Sequence, residues 1–420
     1  MATFLQAVFF VVAIAGGAYF LVRRRTFDFF TIGFASSVVY FLPGFFGFVR
    51  SSRDFTLPEP LLPETYLVFL AVLLSILLGG MIFDHFLGNA RVKLKRHIPL
   101  TLTTEMALAI ALFSLFATLL TSGSDLFSPH KEDVLAATGR WHVLFQFGAI
   151  YLFAFAVLQR RAAFATMGVL LLLFDLYVGF RIGLVIGVLS VVTIHLNRQG
   201  PRSLIRSERK AIVAGILLVA AVLVYKRIYT VVKLGLWDTV MARLTDPEIL
   251  FLALMTSEPF GTQSVLNEVI RTGFFTGPEH LASVASLLVP FSNLLGAEAT
   301  LFNNLFQERL FGGVVLGGLA ANIWAQMYAV AGWLGIGIGI PVYVGVLALG
   351  SRVLDGSRSS LAALVAVAFT FFAFYIHRND VFYILVLLRR CLMFWLLCVV
   401  PGMFFVDVAR WRSRQNAIST

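Results

Sequence analysis

The chain has 420 residues, of which 59% are hydrophobic and 13% are charged, and its formal net charge is +11. A soluble domain carries roughly 25% charged residues, so the composition excludes an ordinary soluble protein. Apolar runs of about 20 residues, which can cross a bilayer as helices, recur along the whole chain and predict an all-α, polytopic membrane bundle. The positive charge fits the loop bias of membrane proteins, and no nucleic-acid partner is predicted.

Eleven apolar segments are predicted to span the membrane. They lie at 3–22, 28–48, 65–87, 101–121, 141–158, 163–178, 181–196, 211–228, 332–350, 361–376 and 381–405. The first segment precedes Arg23, Arg24 and Arg25, whereas a signal peptide carries its charges before the apolar run. We therefore expect a retained first span with an extracytoplasmic N-terminus. The segment 161–196 is interpreted as two short helices folded near Gly179, although one long helix with a re-entrant segment is an alternative.

Basic clusters support this orientation. Lys and Arg concentrate in the cytoplasmic loops of membrane proteins. With the N-terminus outside, every cytoplasmic segment is basic and the C-terminus is cytoplasmic. These clusters lie at 23–25, 91–96, 160–161, 198–210, 352–358 and 410–414.

The chain is expected to form one integral membrane domain over 1–420, with a long extracytoplasmic loop at 230–331. Asp246–Glu248 predicts a helix start within this loop, with Asp as the cap and Pro at the first helical position. Thr276–Glu279 fits a capping box. A third helix is predicted from the apolar stripe Leu301, Phe302, Leu305, Phe306 and Leu310. Short helices of this kind would lie over the outer face of the bundle like a lid.

Some arginines occur on the side that the loop bias disfavours. Arg181 opens a span between glycines, which let a ligand approach the backbone, and a helix N-terminus favours phosphate. Arg378 lies in the tight turn between the last two spans. These placements predict a site for an anion, above all a lipid phosphate; the alternatives are a snorkelling Arg181 and an Arg378–Asp380 ion pair. The arginines singled out at the outer mouths of the spans are Arg140, Arg181, Arg271, Arg309 and Arg378.

Arg389 and Arg390 lie inside the last predicted span, roughly 12–14 Å below the outer turn. A charge at the centre of a membrane helix costs on the order of 2.5–3.5 kcal/mol on insertion scales. Adjacent helical residues point about 100° apart, so we expect one arginine to serve the anion site and the other to have a structural partner. The alternative is pairing with Asp175 or Glu105 inside the bundle.

The loop also supplies groups for glycosyl transfer, which needs cations for a pyrophosphate leaving group and a base for the acceptor hydroxyl. No Asp-x-Asp metal pair is visible. The arginines would therefore supply the positive charge that a divalent ion supplies in many glycosyltransferases. Neither a metal nor another cofactor is expected. The groups in question are Glu258, Arg271, Glu279, His280, Glu298, Glu308 and Arg309.

The segment Ala321–Gly335, which reads ANIWAQMYAVAGWLG, closes the long loop and enters a span. It resembles the corresponding segment of O-antigen polymerases and ligases, which reads roughly His-Asn-x-x-Leu-Gln/Glu and then Gly-x-x-Gly. The span opened by Arg181, the turn at Arg378 and the layout of the chain also resemble that superfamily. The resemblance covers the architecture of the whole chain but only about 30 residues in motif.

The resemblance implies a Wzy-type oligosaccharide repeat-unit polymerase with a GT-C-like bundle. Such an enzyme moves a glycan from undecaprenyl pyrophosphate onto a lipid-linked repeat unit, with inversion and without metal or nucleotide sugar. The reaction takes place on the periplasmic side of the bacterial inner membrane, among membrane lipids and with a chain-length regulator as a further candidate partner. Arg181 and Arg271 match the pyrophosphate-binding arginines, and Arg309, Arg378, Arg389 and Arg390 are expected to assist them.

One departure separates the two activities of the superfamily. Ala321 stands where the ligase pattern has His, which favours a polymerase over a glycan ligase. The base is then unassigned among the acidic and histidine residues of the loop, with His280 and Glu308 preferred. A transporter or flippase is a third interpretation, although the paired broken helices of a transporter are not visible. Further residues expected to line the site are Asn322, Gln326, His377 and Asp380.

Overall fold

The computed structural model describes residues 1–47, 60–86, 102–255, 258–285, 301–311, 320–356 and 359–418. Within these ranges every named element is a helix, and an isolated bridge pairs Arg25 with Arg202. The all-α class predicted from composition is therefore confirmed.

The helices fall into three groups along the chain. The first group is α1 (Ala2–Gly17, continued by a π-helical turn, Ala18–Val22), α2 (Phe29–Tyr40), α3 (Leu42–Phe46), α4 (Pro63–Phe86), α5 (Thr103–Ser122, followed by a 3-10 turn, Gly123–Phe127), α6 (Lys131–Ala137), α7 (Arg140–Leu158), α8 (Ala162–Val178), α9 (Ile182–Arg198), α10 (Leu204–Ser207) and α11 (Arg209–Lys233). The loop group is α12 (Trp237–Leu244), α13 (Ile249–Met255), α14 (Glu258–Thr272), α15 (Pro278–Ala285) and α16 (Phe302–Phe311). The last group is α17 (Ile323–Gly356), α18 (Ser360–Tyr375) and α19 (Val381–Ile418).

Six helices of the described ranges are long and apolar enough to cross a membrane. They are Ala2–Val22, Pro63–Phe86, Thr103–Phe127, Arg140–Leu158, Ile323–Asp355 and Val381–Phe404. A bent pair within α11 would make a seventh, and α2, α8, α9 and α18 are shorter apolar helices at other predicted span positions. The membrane character is thus supported, but length and composition do not establish the predicted eleven spans.

The segment 161–196 folds as two short helices, α8 and α9, and this prediction is confirmed. Gly179 joins them with a φ of 121°, a value that side-chain-bearing residues rarely adopt. The N–H groups of Gly179 and Phe180 both donate to the carbonyl of Asp175, at 3.2 and 2.9 Å. The chain therefore reverses sharply and delivers Arg181 to the start of α9.

A buried charge network centred on Arg25 lies at one end of the bundle. Arg25 is 5% exposed and binds Asp28 at 2.9 Å and Asp84 at 3.0 Å. Beside this network, Asn197 near the end of α9 donates to Asp355 at 2.6 Å. We call this end the Arg25 face. Because α9 runs from Arg181 to this face, Arg181 lies at the opposite end, the Arg378 face.

Helices α5 and α7 pack at close range through small residues. A Cβ atom on Gly148 would lie 2.9 Å from the Cα of Ala111. Small residues let membrane helices approach until their backbones touch. The α5–α7 contact therefore depends on the absence of a side chain at position 148.

We predict that Gly148→Ala lowers the free energy of unfolding by about 1–3 kcal/mol, because α5 and α7 must separate to admit the methyl group. The matched control is Gly345→Ala, since a Cβ there meets no atom within 4 Å. Thermal unfolding of the purified protein in one detergent would test this. Equal melting temperatures for the two variants would contradict it.

Candidate functional site

Helix α14 enters the end of the bundle instead of lying over it. Every residue from Pro259 to Ile270 is buried, and the helix packs against α2, α3, α4 and α17. The side-chain oxygen of Asn267 accepts from the Leu62 N–H at 3.0 Å and from the Thr65 hydroxyl at 2.9 Å. The amide of Asn322 donates to the carbonyl of Thr262 at 3.1 Å. This loop helix is therefore part of the core, and its first residue has a fixed position.

That first residue, Glu258, joins two of the predicted arginines. Its carboxylate lies 3.1 Å from a guanidinium nitrogen of Arg378 and 3.5 Å from one of Arg181. The three side chains are 23–31% exposed, so the cluster is open to solvent on one side. Two cations share one carboxylate, and we call this the Arg181–Glu258–Arg378 cluster.

Aromatic side chains border this cluster. The guanidinium of Arg378 lies 5.7 Å from the ring centre of Tyr375, and Tyr40, at the end of α2, is within electrostatic range of all three charged groups. Burial, the largest single effect, would lower the pKa of Arg378, but the Glu258 carboxylate together with Tyr40, Tyr375 and Tyr383 outweighs it and raises the pKa above its ordinary value. Arg378 is therefore a permanent cation in a partly aromatic setting.

His377, next to Arg378, is buried and held by hydrogen bonds. The indole N–H of Trp324 donates to its Nδ1 at 2.8 Å, so the ring proton lies on Nε2, which donates to the Ser37 hydroxyl at 2.9 Å. Burial lowers the pKa of His377 to about 3. The predicted site-lining residue is thus a neutral anchor for the turn that carries Arg378.

His280 and Gln326 form a second anchor. The amide of Gln326 donates to Nε2 of His280 at 2.9 Å, and its oxygen accepts from the Val381 N–H at 2.8 Å. Burial lowers the pKa of His280, although the nearby Asp380 carboxylate opposes this. His280, which was preferred as the base, therefore links α15 to α17 and the start of α19.

Asp380 and Asn322 cap helices at the same end of the bundle. The Asp380 carboxylate accepts from the N–H groups of Tyr383 at 2.8 Å and Phe302 at 3.1 Å, and burial raises its pKa. Asn322 accepts from the N–H of Trp324 at 2.9 Å at the start of α17. Both residues have structural partners, and the alternative Arg378–Asp380 ion pair is replaced by Arg378–Glu258.

Arg271 lies away from the cluster. Its guanidinium pairs with Glu268 at 2.6 Å, and it is 13 residues after Glu258 on the same helix, which corresponds to about 20 Å along the axis. The side chains of the other two candidates in this loop, Glu308 and Arg309, lie outside the described part of the chain. So does Glu298.

Arg389 and Arg390 do not join the cluster either. Arg389 is exposed and Arg390 half-buried on α19, eight and nine residues after its first residue, or roughly 12–14 Å along the axis. Within the described ranges neither forms an ion pair. Asp175 binds His142 and Gln146 instead, both at 2.8 Å, and Glu105 pairs with Arg161. The alternative pairing with these two acids is therefore wrong.

The His142–Asp175 pair is a feature that sequence reasoning missed as a unit. Asp175 is fully buried, and a Cβ on Gly183 would lie 2.7 Å from its carboxylate. The His142 ring packs on Phe180 with centres 4.2 Å apart. The pair therefore supports the turn that presents Arg181. The sequence signal for such a pair is a polar residue inside each of two apolar helices.

Comparisons with protein-family models, with curated proteins and with solved structures give no significant match for this chain.

We predict that stability falls as the pH drops below about 6.5 because of His377. The unfolded histidine binds a proton in this range while the folded one, with its pKa of about 3, does not. The free energy of unfolding should therefore decrease by about 1.4 kcal/mol per pH unit between pH 6.5 and pH 4.5. His377→Gln should lose this slope, and His130→Gln, at an exposed position, should keep it. Melting temperatures at several pH values measure both; identical slopes would refute the assignment.

Proposed function

We propose that the protein polymerises lipid-linked oligosaccharide repeat units by metal-independent glycosyl transfer. The donor and the acceptor are carried on undecaprenyl pyrophosphate, and the product is a surface polysaccharide such as O-antigen. In this proposal the chain has eleven spans in a GT-C-like bundle of the bacterial inner membrane. The N-terminus and the Arg378 face are periplasmic, and the C-terminus is cytoplasmic.

The observation that carries this proposal is the Arg181–Glu258–Arg378 cluster. Two arginines from separate parts of the chain converge on one carboxylate at a partly open position. A carboxylate between two guanidinium groups marks a place where an anion is stabilised, and the same forks fit phosphate oxygens. Because two cations face one anion, the cluster has charge left over for a more negative ligand.

These arginines would act on the leaving group. As the bond between the sugar and the diphosphate breaks, negative charge grows on the diphosphate oxygen. Arg181 and Arg378 are already in place to stabilise this charge, and removing one such donor typically slows a reaction 10²- to 10³-fold. The Tyr375 ring, centred 5.7 Å from the Arg378 guanidinium, would limit water beside that group, which strengthens the interaction.

A polymerase is preferred to a ligase because of the residue that begins the ligase-like motif. Ala321 is buried at the entrance to α17 and has no group that could act as acid or base. The two activities share the donor and differ in the acceptor, so the acceptor used in vitro decides between them. A transporter or flippase would bind the donor without transferring its glycan.

We predict that Arg181→Ala and Arg378→Ala each reduce repeat-unit extension about 100-fold or more. The substrate is the lipid-linked repeat unit that accumulates in cells lacking this chain, and EDTA is present throughout. Arg140→Ala is the control, because Arg140 is exposed at the start of α7 on the same face. Normal extension by both variants, or no extension by the wild-type protein, would reject the proposal.

We also predict that Arg181→Lys and Arg378→Lys do not restore long chains. An ammonium group keeps the charge but lacks the planar fork that binds two phosphate oxygens at once. Polymer length on immunoblots of surface polysaccharide measures this. Chains of full length in both lysine variants would show that charge alone suffices.

A further inference from the structure

The position of Glu258 suits a chemical role beyond the two ion pairs that it forms with described residues. It opens a helix whose following twelve residues are all buried, so its backbone cannot move far. Its side chain is 25% exposed, so solvent and ligands can reach it. Within the described ranges, no other carboxylate lies within ion-pair distance of Arg181 or Arg378.

The other candidate bases lack this position. His280 uses Nε2 to accept a hydrogen bond from Gln326 and is buried. Glu279, one residue before it on α15, is exposed and is held on the helix that His280 anchors. Among the described candidates, Glu258 is the acid or base in direct contact with the arginines of the cluster.

We propose that Glu258 is the general base of the glycosyl transfer and that donor binding activates it; this inference rests on the function proposed above. Without donor, the carboxylate occupies the anion position between the two arginines. The diphosphate of the donor takes that position, and the carboxylate turns away while remaining next to the sugar that the diphosphate carries.

The glycosyl transfer then takes place in one step. The oxygen of the acceptor hydroxyl forms a bond to the anomeric carbon as the bond from that carbon to the diphosphate oxygen breaks. The electron pair of the broken bond stays on the diphosphate, beside Arg181 and Arg378. The proton of the acceptor hydroxyl passes to the Glu258 carboxylate and later leaves to water.

The exchange of partners explains how one carboxylate can serve both purposes. An ion pair with arginine favours the ionised form of a carboxylate and makes it a weak base. When the diphosphate takes over the guanidiniums, the carboxylate loses two cations and gains an anionic neighbour, and both changes favour binding of a proton. The base is therefore effective only when the donor is present.

Glu258→Gln tests this, because it keeps the size of the side chain and removes its charge. We expect extension of the lipid-linked repeat unit to fall about 100-fold or more, while inorganic pyrophosphate binds at least as tightly as to the wild-type protein, since the competing carboxylate is gone. Glu248→Gln, at an exposed loop position, is the matched control for charge. Calorimetry measures binding, and chain length on gels measures extension.

Three results would overturn the inference. These are extension by Glu258→Gln at the wild-type rate, pyrophosphate binding by that variant weaker than wild type, and Glu258→Asp no more active than Glu258→Gln. If Glu258→Gln does not fold, Glu258→Asp carries the test: its extension should exceed zero and shift in pH dependence relative to wild type, and an unchanged profile counts against a base. Failure of the proposed function looks different, because wild-type protein would then extend nothing and Arg181→Ala would not alter pyrophosphate binding.

Discussion

The site depends on how a polar helix is held inside an apolar bundle. Helix α14 carries many polar residues, yet Pro259–Ile270 is buried, and an unpaired buried polar group costs several kcal/mol. Asn267 and Asn322 meet part of this requirement by bonding α14 to the chain before α4 and to the start of α17, whereas the buried amide of Gln263 on the same helix has no hydrogen-bond partner among the described residues. Because the two asparagines fix the helix, its first residue reaches the two arginines, and the distances within the cluster follow from the packing of α14.

The charged groups of the bundle divide into closed and open sets. Arg25 is surrounded by Asp28 and Asp84 and has little exposed surface, so it stabilises the junction of three helices and has no capacity for a ligand. The Arg181–Glu258–Arg378 cluster has one acid for two cations and remains partly exposed. A buried network satisfied internally is typical of structure, whereas excess charge at an open position is typical of ligand binding.

Local sequence patterns predicted the all-α class, three short helices of the loop, the reversal at Gly179, and the positions of Arg181 at a helix start and Arg378 in a turn, because each depends on residues close together in the chain. They did not predict α14. Nor did they predict which acid would meet the arginines, since positions 181, 258 and 378 come together only through tertiary packing. Sequence patterns also do not predict the role of His280 and Gln326. A polar side chain can be reactive or can bridge helices, and only its partners in the folded chain distinguish the two roles. Arg271 is a further example: the sequence groups it with the other arginines, whereas it lies about 20 Å along α14 from Glu258 and pairs with Glu268.

In the turn between α18 and α19, a fully buried residue is followed directly by a partly exposed one. His377 is fully enclosed by Trp324 and Ser37, whereas the adjacent Arg378 reaches solvent. The boundary between solvent and protein interior therefore passes between two consecutive residues, and the enclosed His377 ring holds the backbone that carries the guanidinium. An anion bound by Arg378 would therefore be held at one depth in the protein, set by the enclosed His377 ring beside it.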